Sequence, residues 1–232
     1  MLVLLAVVLG MALYFVPTKP PAQTLSDEEK DFSSSLENEG KKISGEQKIF
    51  FQSLEKKYAD AVSLNTETAW LDAASGFLKG ARFSQNDSKA LYYKGAIVCF
   101  EKALEINPGN ISAKTNLGTC IVESSALLGI QPMKGINLLR EAVQQDSANI
   151  DAHLQLGIFS VTSRQFDKAI ERFEKILTID SSRIDMYVYL GDTHRAMGDK
   201  PKAIESYERY KSQVADTLIQ NDIEEYIKKL KQ

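Results

Sequence analysis

The sequence predicts an all-α solenoid built from helix-turn-helix repeats, and three observations carry that prediction. Leu156-Gly157 returns as Leu190-Gly191, and Ala169, Phe173 and Ile176 return as Ala203, Tyr207 and Tyr210, each pair 34 residues apart. Gly135, Leu139 and Ala142 stand 34 residues before Ala169, Phe173 and Ile176, so the second-helix pattern occurs three times in register. A unit such as Asp151 to Ile184 has an apolar face that it cannot bury alone, and stacked neighbours supply the rest of the core.

An earlier copy is looser. Tyr93, Ala96, Phe100, Ala103 and Pro108 fit its second helix, and Trp70, Ala73, Ala74 and Phe77 its first, with a long connection at about Ser84 to Ala90. In the next copy Leu117-Gly118 is well placed, but five residues are added around Leu127 to Lys134. The Leu-Gly pair, Ala-x3-aromatic and helix-ending Pro over roughly Thr66 to Gln213 resemble the tetratricopeptide-repeat (TPR) family. That resemblance implies a superhelical solenoid in which Gly and Ala bring the helices of a unit together and a large residue at each Phe173-like position fills the space behind them. The array divides at about 66–110, 111–149, 150–183 and 184–213. Helix pairs are expected over Asp151 to Ser163 with Phe166 to Ile179, and over Ile184 to Met197 with Pro201 to Lys211.

Composition sets the outer limits. Hydrophobic residues make up 44% and charged residues 25% of the chain, ample for a core. With 28 basic and 31 acidic residues and a formal net charge of -3, no basic stripe points to nucleic acid. Two cysteines, Cys99 and Cys120, exclude a disulfide-stapled small domain, and buried free thiols are the expected state.

Residues 1–17 open with MLVLLAVVLGMALYFV, apolar throughout. Sixteen helical residues rise ~24 Å against a hydrocarbon core of ~30 Å, so the segment spans with local thinning or help from its flanks. A retained single-pass transmembrane anchor is the expectation; a cleaved signal peptide competes, without the usual basic start or small-x-small cleavage site. The likeness to bacterial membrane-anchored TPR proteins implies an inner-membrane location with a periplasmic body, although Lys19 alone would favour the cytoplasm. Residues 18–43, with prolines, serines and an acidic cluster, read as a flexible tether: Ser26 and Glu29 form a possible capping box, but Phe32 and Leu36 are too few to hold a helix on a core. In 44–65, Ile49, Phe50, Leu54, Tyr58, Ala61 and Val62 share one helical face behind a start capped by Ser44 with Gln47, a helix that caps the array or binds a partner. In 214–232, Leu218, Ile219, Ile223, Tyr226, Ile227 and Leu230 form the face of a C-terminal cap, and Lys228, Lys229 and Lys231 suit its last turn.

No catalytic constellation emerges. His153 and His194 lack partners at metal-ligand spacing, there is no phosphate loop, HExxH or nucleophile elbow, and no cofactor is implied. The resemblance instead implies a concave surface lined by first helices, which receives an extended peptide or a partner helix. Its groove-facing positions fall on Thr115, Asn116 and Thr119, then Leu154, Gln155 and Ile158, then Val188, Tyr189, Asp192 and Arg195. Val188 and Tyr189 serve equally as packing for the C-terminal cap. Of the cationic and amide residues that grip a chaperone's terminal carboxylate in some TPR domains, only Asn116 matches, while Asp151 and Gln155 stand where cations are needed. Two functions remain open: a non-enzymatic, membrane-tethered scaffold that assembles a protein complex, and a periplasmic chaperone for an unfolded client, as in cytochrome c maturation.

Overall fold

The computed structural model describes residues 26–84 and 88–232, which contain eleven helices: α1 (Asp27–Gly40), α2 (Glu46–Leu64), α3 (Glu67–Phe83), α4 (Ser88–Ile106), α5 (Ile111–Leu128), α6 (Met133–Gln145), α7 (Ile150–Thr162), α8 (Phe166–Ile179), α9 (Met186–Met197), α10 (Lys200–Gln213) and α11 (Thr217–Lys231). Consecutive helices pack as pairs, α3 with α4, α5 with α6, α7 with α8 and α9 with α10, and each second helix also touches the next first helix. α2 precedes the first pair and α11 closes the last. The expected anchor, 1–17, lies outside the described residues. Among those that are described, no helix is long and apolar enough to cross a membrane.

Local chemistry explains where the helices begin. Asn110 and Asn149 each accept a hydrogen bond from the N–H three residues on, at Ala113 (2.8 Å) and Ala152 (2.9 Å). Their amide groups then donate across to the preceding first helix, Asn110 to Glu67 (2.7 Å) and Asn149 to Thr115 (2.9 Å), so one residue type both starts a helix and sets its neighbour's height. Within a pair, the repeat pattern controls spacing. A Cβ on Gly157 would stand 2.5 Å from the Phe173 ring, and one on Gly191 would stand 2.6 Å from Tyr207. Ala169, Phe173, Ala203 and Tyr207 are all buried in these contacts. The five residues added in the second unit lengthen its first helix, since α5 has 18 residues and α7 has 13.

Two expectations at the N-terminal end are corrected. Most of the stretch read as a tether is the helix α1, started by a complete Ser26–Glu29 capping box and docked on α4 and α2. Phe32 and Leu36 are each only 4% exposed. They suffice because Gly95 of α4 leaves a slot: a Cβ there would meet Phe32 at 2.7 Å. The Phe32 ring meets Tyr58 and Phe77 edge-on, at 5.1 and 5.5 Å between centroids. Lys102 pairs with the buried Glu29 (3.6 Å) and Ser88 donates to Glu39 (2.6 Å), which fixes the helix at both ends. In α2 the face is rotated from the expected one: Phe51, Leu54, Tyr58 and Ala61 are buried, Phe50 is half-buried and Ile49 is 74% exposed. Its N-cap is Gly45 at φ 67°, with no side-chain cap from Ser44. In α11, Ile227 is buried and Ile223, Tyr226 and Leu230 pack beside it, whereas Leu218 is 72% exposed.

Candidate partner-binding surface

Of the residues assigned to the groove, those on α5 and α7 behave differently from those on α9. α5 and α7 adjoin. Asn116, Leu154, Gln155 and Ile158 are half-buried there, with surface to offer. Gln155 donates to Glu123 (3.2 Å), whose other oxygen accepts from Tyr93 (3.0 Å), so one carboxylate links α4, α5 and α7. Glu123 was missed by sequence reasoning, although it lies two turns beyond Asn116 on the same helix face. Thr115 and Thr119 are buried, at 5% and 3% exposure, and this removes them from any contact surface. Thr115 spends its hydroxyl on the Ile111 carbonyl and on Asn149.

On α9 the assigned hot-spot residues are largely structural. Tyr189 stacks on Phe173 at 5.1 Å, and Val188 packs into the cluster of Ala203, Tyr207 and Ile227 that seals the C-terminal end. Asp192 accepts from the Tyr207 hydroxyl (2.8 Å), and burial, reinforced by that hydrogen bond and the Asp192 charge, holds the phenol well above its ordinary range. Arg195 is exposed and stands 3.5 Å from Asp192. What α9 presents outward is therefore a hydrogen-bonded Asp192–Arg195 pair, and the aromatic area of Tyr189 is largely spent inside. Physically, an aromatic residue beside the Phe173 position completes the interior of the preceding unit, a role that a motif-based assignment cannot separate from binding.

The remaining polar centres are structural as well. His153 is buried; its Nε2 lies 3.1 Å from the Ser147 carbonyl and its Nδ1 3.1 Å from the Arg172 guanidinium. Since the guanidinium can only donate, Nδ1 accepts and Nε2–H donates to the carbonyl. Burial, reinforced by Arg172, holds the imidazole pKa below its ordinary value. Cys99 and Cys120 are free and buried, and burial pushes Cys120 up to about 12 and Cys99 upward as well. Among the described residues no cluster of three His, Cys, Asp or Glu could hold a metal ion.

No family model matches the chain. Its sequence is 23% identical over 151 residues to Superkiller protein 3 of Schizosaccharomyces pombe, a match that takes in 60% of this chain but only 11% of that much longer protein. Among solved structures the chain is similar to YrrB, a TPR protein with an unusual peptide-binding site, with a TM-score of 0.57 at 20% identity over 84% of this chain and 89% of that one. It is also similar to MamA from Desulfovibrio magneticus RS-1, with a TM-score of 0.55 at 17% identity over 82% of this chain and 99% of that one. With the paired helices and the 34-residue register, these likenesses establish the class: by fold, the chain is a tetratricopeptide-repeat solenoid.

Proposed function

We propose that the chain is a protein-interaction scaffold whose first-helix face, centred on α5 and α7, receives an extended segment of a partner protein. One contrast carries this: the array buries its own large residues between helices, yet leaves Asn116, Leu154, Gln155 and Ile158 partly uncovered on two adjoining first helices. A mixed lining of amide and aliphatic groups suits a peptide, which offers backbone donors and acceptors as well as side chains. YrrB's peptide-binding site supports the choice of partner class. The apolar run Met1 to Val16 supports tethering to a membrane, and the resemblance to bacterial membrane-anchored TPR proteins is what favours an inner membrane with the array on the periplasmic side.

A second reading, a chaperone for unfolded client protein, draws on one feature: where the lengthened α5 turns into α6, Leu127, Ile130 and Met133 are 52%, 37% and 46% exposed within seven residues of chain. Affinity capture from membranes separates the two. Gln155→Ala with Ile158→Asp should abolish recovery of a folded partner complex by a scaffold. Recovery of reduced, unfolded polypeptides that depends on Leu127 and Met133 would instead support the chaperone. Protease added from outside should digest the array in spheroplasts, whose outer membrane is opened, and spare it in intact cells; digestion confined to inverted vesicles would overturn the periplasmic assignment.

A further inference from the structure

The outer, second-helix side of the array carries a cleft that recurs with the repeat. Between α6 and α8, over a floor from α7, a cleft of about 270 Å³ is lined by Ile136, Leu156 and Phe159 and by Arg140, Lys168 and Arg172. Between α8 and α10, over α9, a cleft of about 300 Å³ repeats it 34 residues on, with Ile170, Leu190, Glu174, Lys202, Glu205 and Ser206 at the positions of Ile136, Leu156, Arg140, Lys168, Glu171 and Arg172. The backbone scaffold is the same, but the charge is not.

The later cleft is neutralised from within. Lys202 pairs with Asp199 (3.5 Å) and Arg209, the second cation on its wall, pairs with Glu205 (2.8 Å), while Glu174 and Ser206 occupy the places held by arginines one repeat earlier. In the earlier cleft none of the three cations lies within 4.0 Å of a carboxylate among the described residues. Arg140 donates to Asn137 (3.4 Å), Lys168 to the Gln165 side-chain oxygen (2.7 Å) and Arg172 to His153 Nδ1 (3.1 Å), all neutral acceptors. Glu171 on the same wall leaves a positive balance of two. A guanidinium has five donors, and His153 accepts from only one nitrogen of Arg172 while fixing the fork at the cleft. At its other end the seam continues past Arg172 into a second hollow of about 370 Å³, where Glu171, Glu174 and Lys175 share the wall with Val143, Ser147 and Thr178.

We infer that the α6–α8 cleft is a second binding site, for an extended peptide segment of a protein partner that carries an oxyanion next to an apolar side chain. The oxyanion, carboxylate or phosphate, takes the unpaired donors of Arg140, Lys168 and Arg172, for which a fork-shaped acceptor is the natural complement. The apolar side chain lies on Ile136, Leu156 and Phe159, and the continuing seam gives the peptide a direction. This site is separate from the first-helix face and does not rest on that assignment.

The test uses the full chain in neutral detergent and three fluorescein-labelled ten-residue peptides of identical Leu- and Phe-containing sequence, whose central residue is Asp, phosphoserine or Asn. Fluorescence anisotropy should show the Asp or phosphoserine peptide binding at least about tenfold more tightly than the Asn peptide, the scale of one charge-assisted contact, and binding should weaken as NaCl rises. The tighter of the two anionic peptides identifies the oxyanion. Arg140→Glu, which installs the charge present at Glu174, should abolish the preference. Arg172→Ser, the residue present at Ser206, should reduce it, with circular dichroism confirming the fold and Arg140→Gln giving an intermediate loss. Glu208→Gln on α10, away from the cleft, should leave it unchanged. Equal affinity for the three peptides, or a preference that survives Arg140→Glu, would overturn the site.

Discussion

Replacing Gly157 with alanine should destabilise the array even though alanine is the better helix former. The new methyl carbon would lie 2.5 Å from Phe173 Cε1 and 2.9 Å from Cζ, where ordinary carbon contacts are ~3.5–4.0 Å. The ring must therefore retreat by about 1 Å, but Phe173 has no exposed surface and is stacked on Tyr189. Overpacking with so little room belongs near the upper end of its usual range, about 3 kcal/mol. Helix propensity returns about 1 kcal/mol, leaving a net loss of about 2 kcal/mol. For a chain of this length, thermal unfolding followed by circular dichroism should show a midpoint lower by about 4–8 °C. Phe173→Leu, costly alone, should cost much less in the Gly157→Ala background, and a double-mutant cycle in urea should give a favourable coupling above ~1 kcal/mol. Gly157→Ala as stable as the parent, or additive with Phe173→Leu, would refute the packing register.

The docking of α1 gives a second test: Phe32→Ala removes a ring from a fully formed aromatic cluster, a change worth about 3–5 kcal/mol for buried aromatics, and should open Asp27–Gly40 to limited proteolysis that the parent resists. Alkaline pH should weaken the fold, because burial raises Cys120 and Tyr58 to about 12 from 9.0 and 10.0. The neutral forms are favoured in the folded state, so stability is complete below the ordinary values and is lost as pH rises toward about 12; denaturant titrations from pH 8 to 11 should show the decline. Native protein should accordingly be inert to a thiol reagent and react at both cysteines once unfolded. On the acid side His153 is depressed, so its contribution is present above about pH 6.5 and is lost as pH falls through the lower folded value. His153→Gln should flatten thermal stability between pH 7 and 5.

The repeat core was legible in the sequence because its spacing is physical: Gly157 and Gly191 fall 34 residues apart for the same reason that Phe173 and Tyr207 do, each ring filling the space its glycine vacates. α8 spans the residues that the pattern marked, Phe166 to Ile179. α1 was misread because its stability depends on a hole in another helix. Two apolar residues look insufficient until Gly95, far along the chain, supplies the slot for Phe32. The site was half legible. Positions on α5 and α7 retain surface, but Thr119 is buried and Tyr189 is stacked on Phe173, since a family position states where a side chain starts and not how much of it the next unit covers. The outer cleft left no motif; its signal lies in the pairwise comparison of Arg140 with Glu174 and Arg172 with Ser206, which needs the register first.

Photo-cross-linking tests the central claim most directly. A benzophenone amino acid placed singly at Asn116 or Ile158 on the first helices, and at Arg140 on the outer side, would be irradiated in membranes and the products identified by mass spectrometry. The scaffold assignment predicts one discrete partner protein cross-linked from both Asn116 and Ile158, through a contiguous segment of that partner. Products from Arg140 with none from Asn116 or Ile158 would contradict it and leave the outer cleft as the site of recognition.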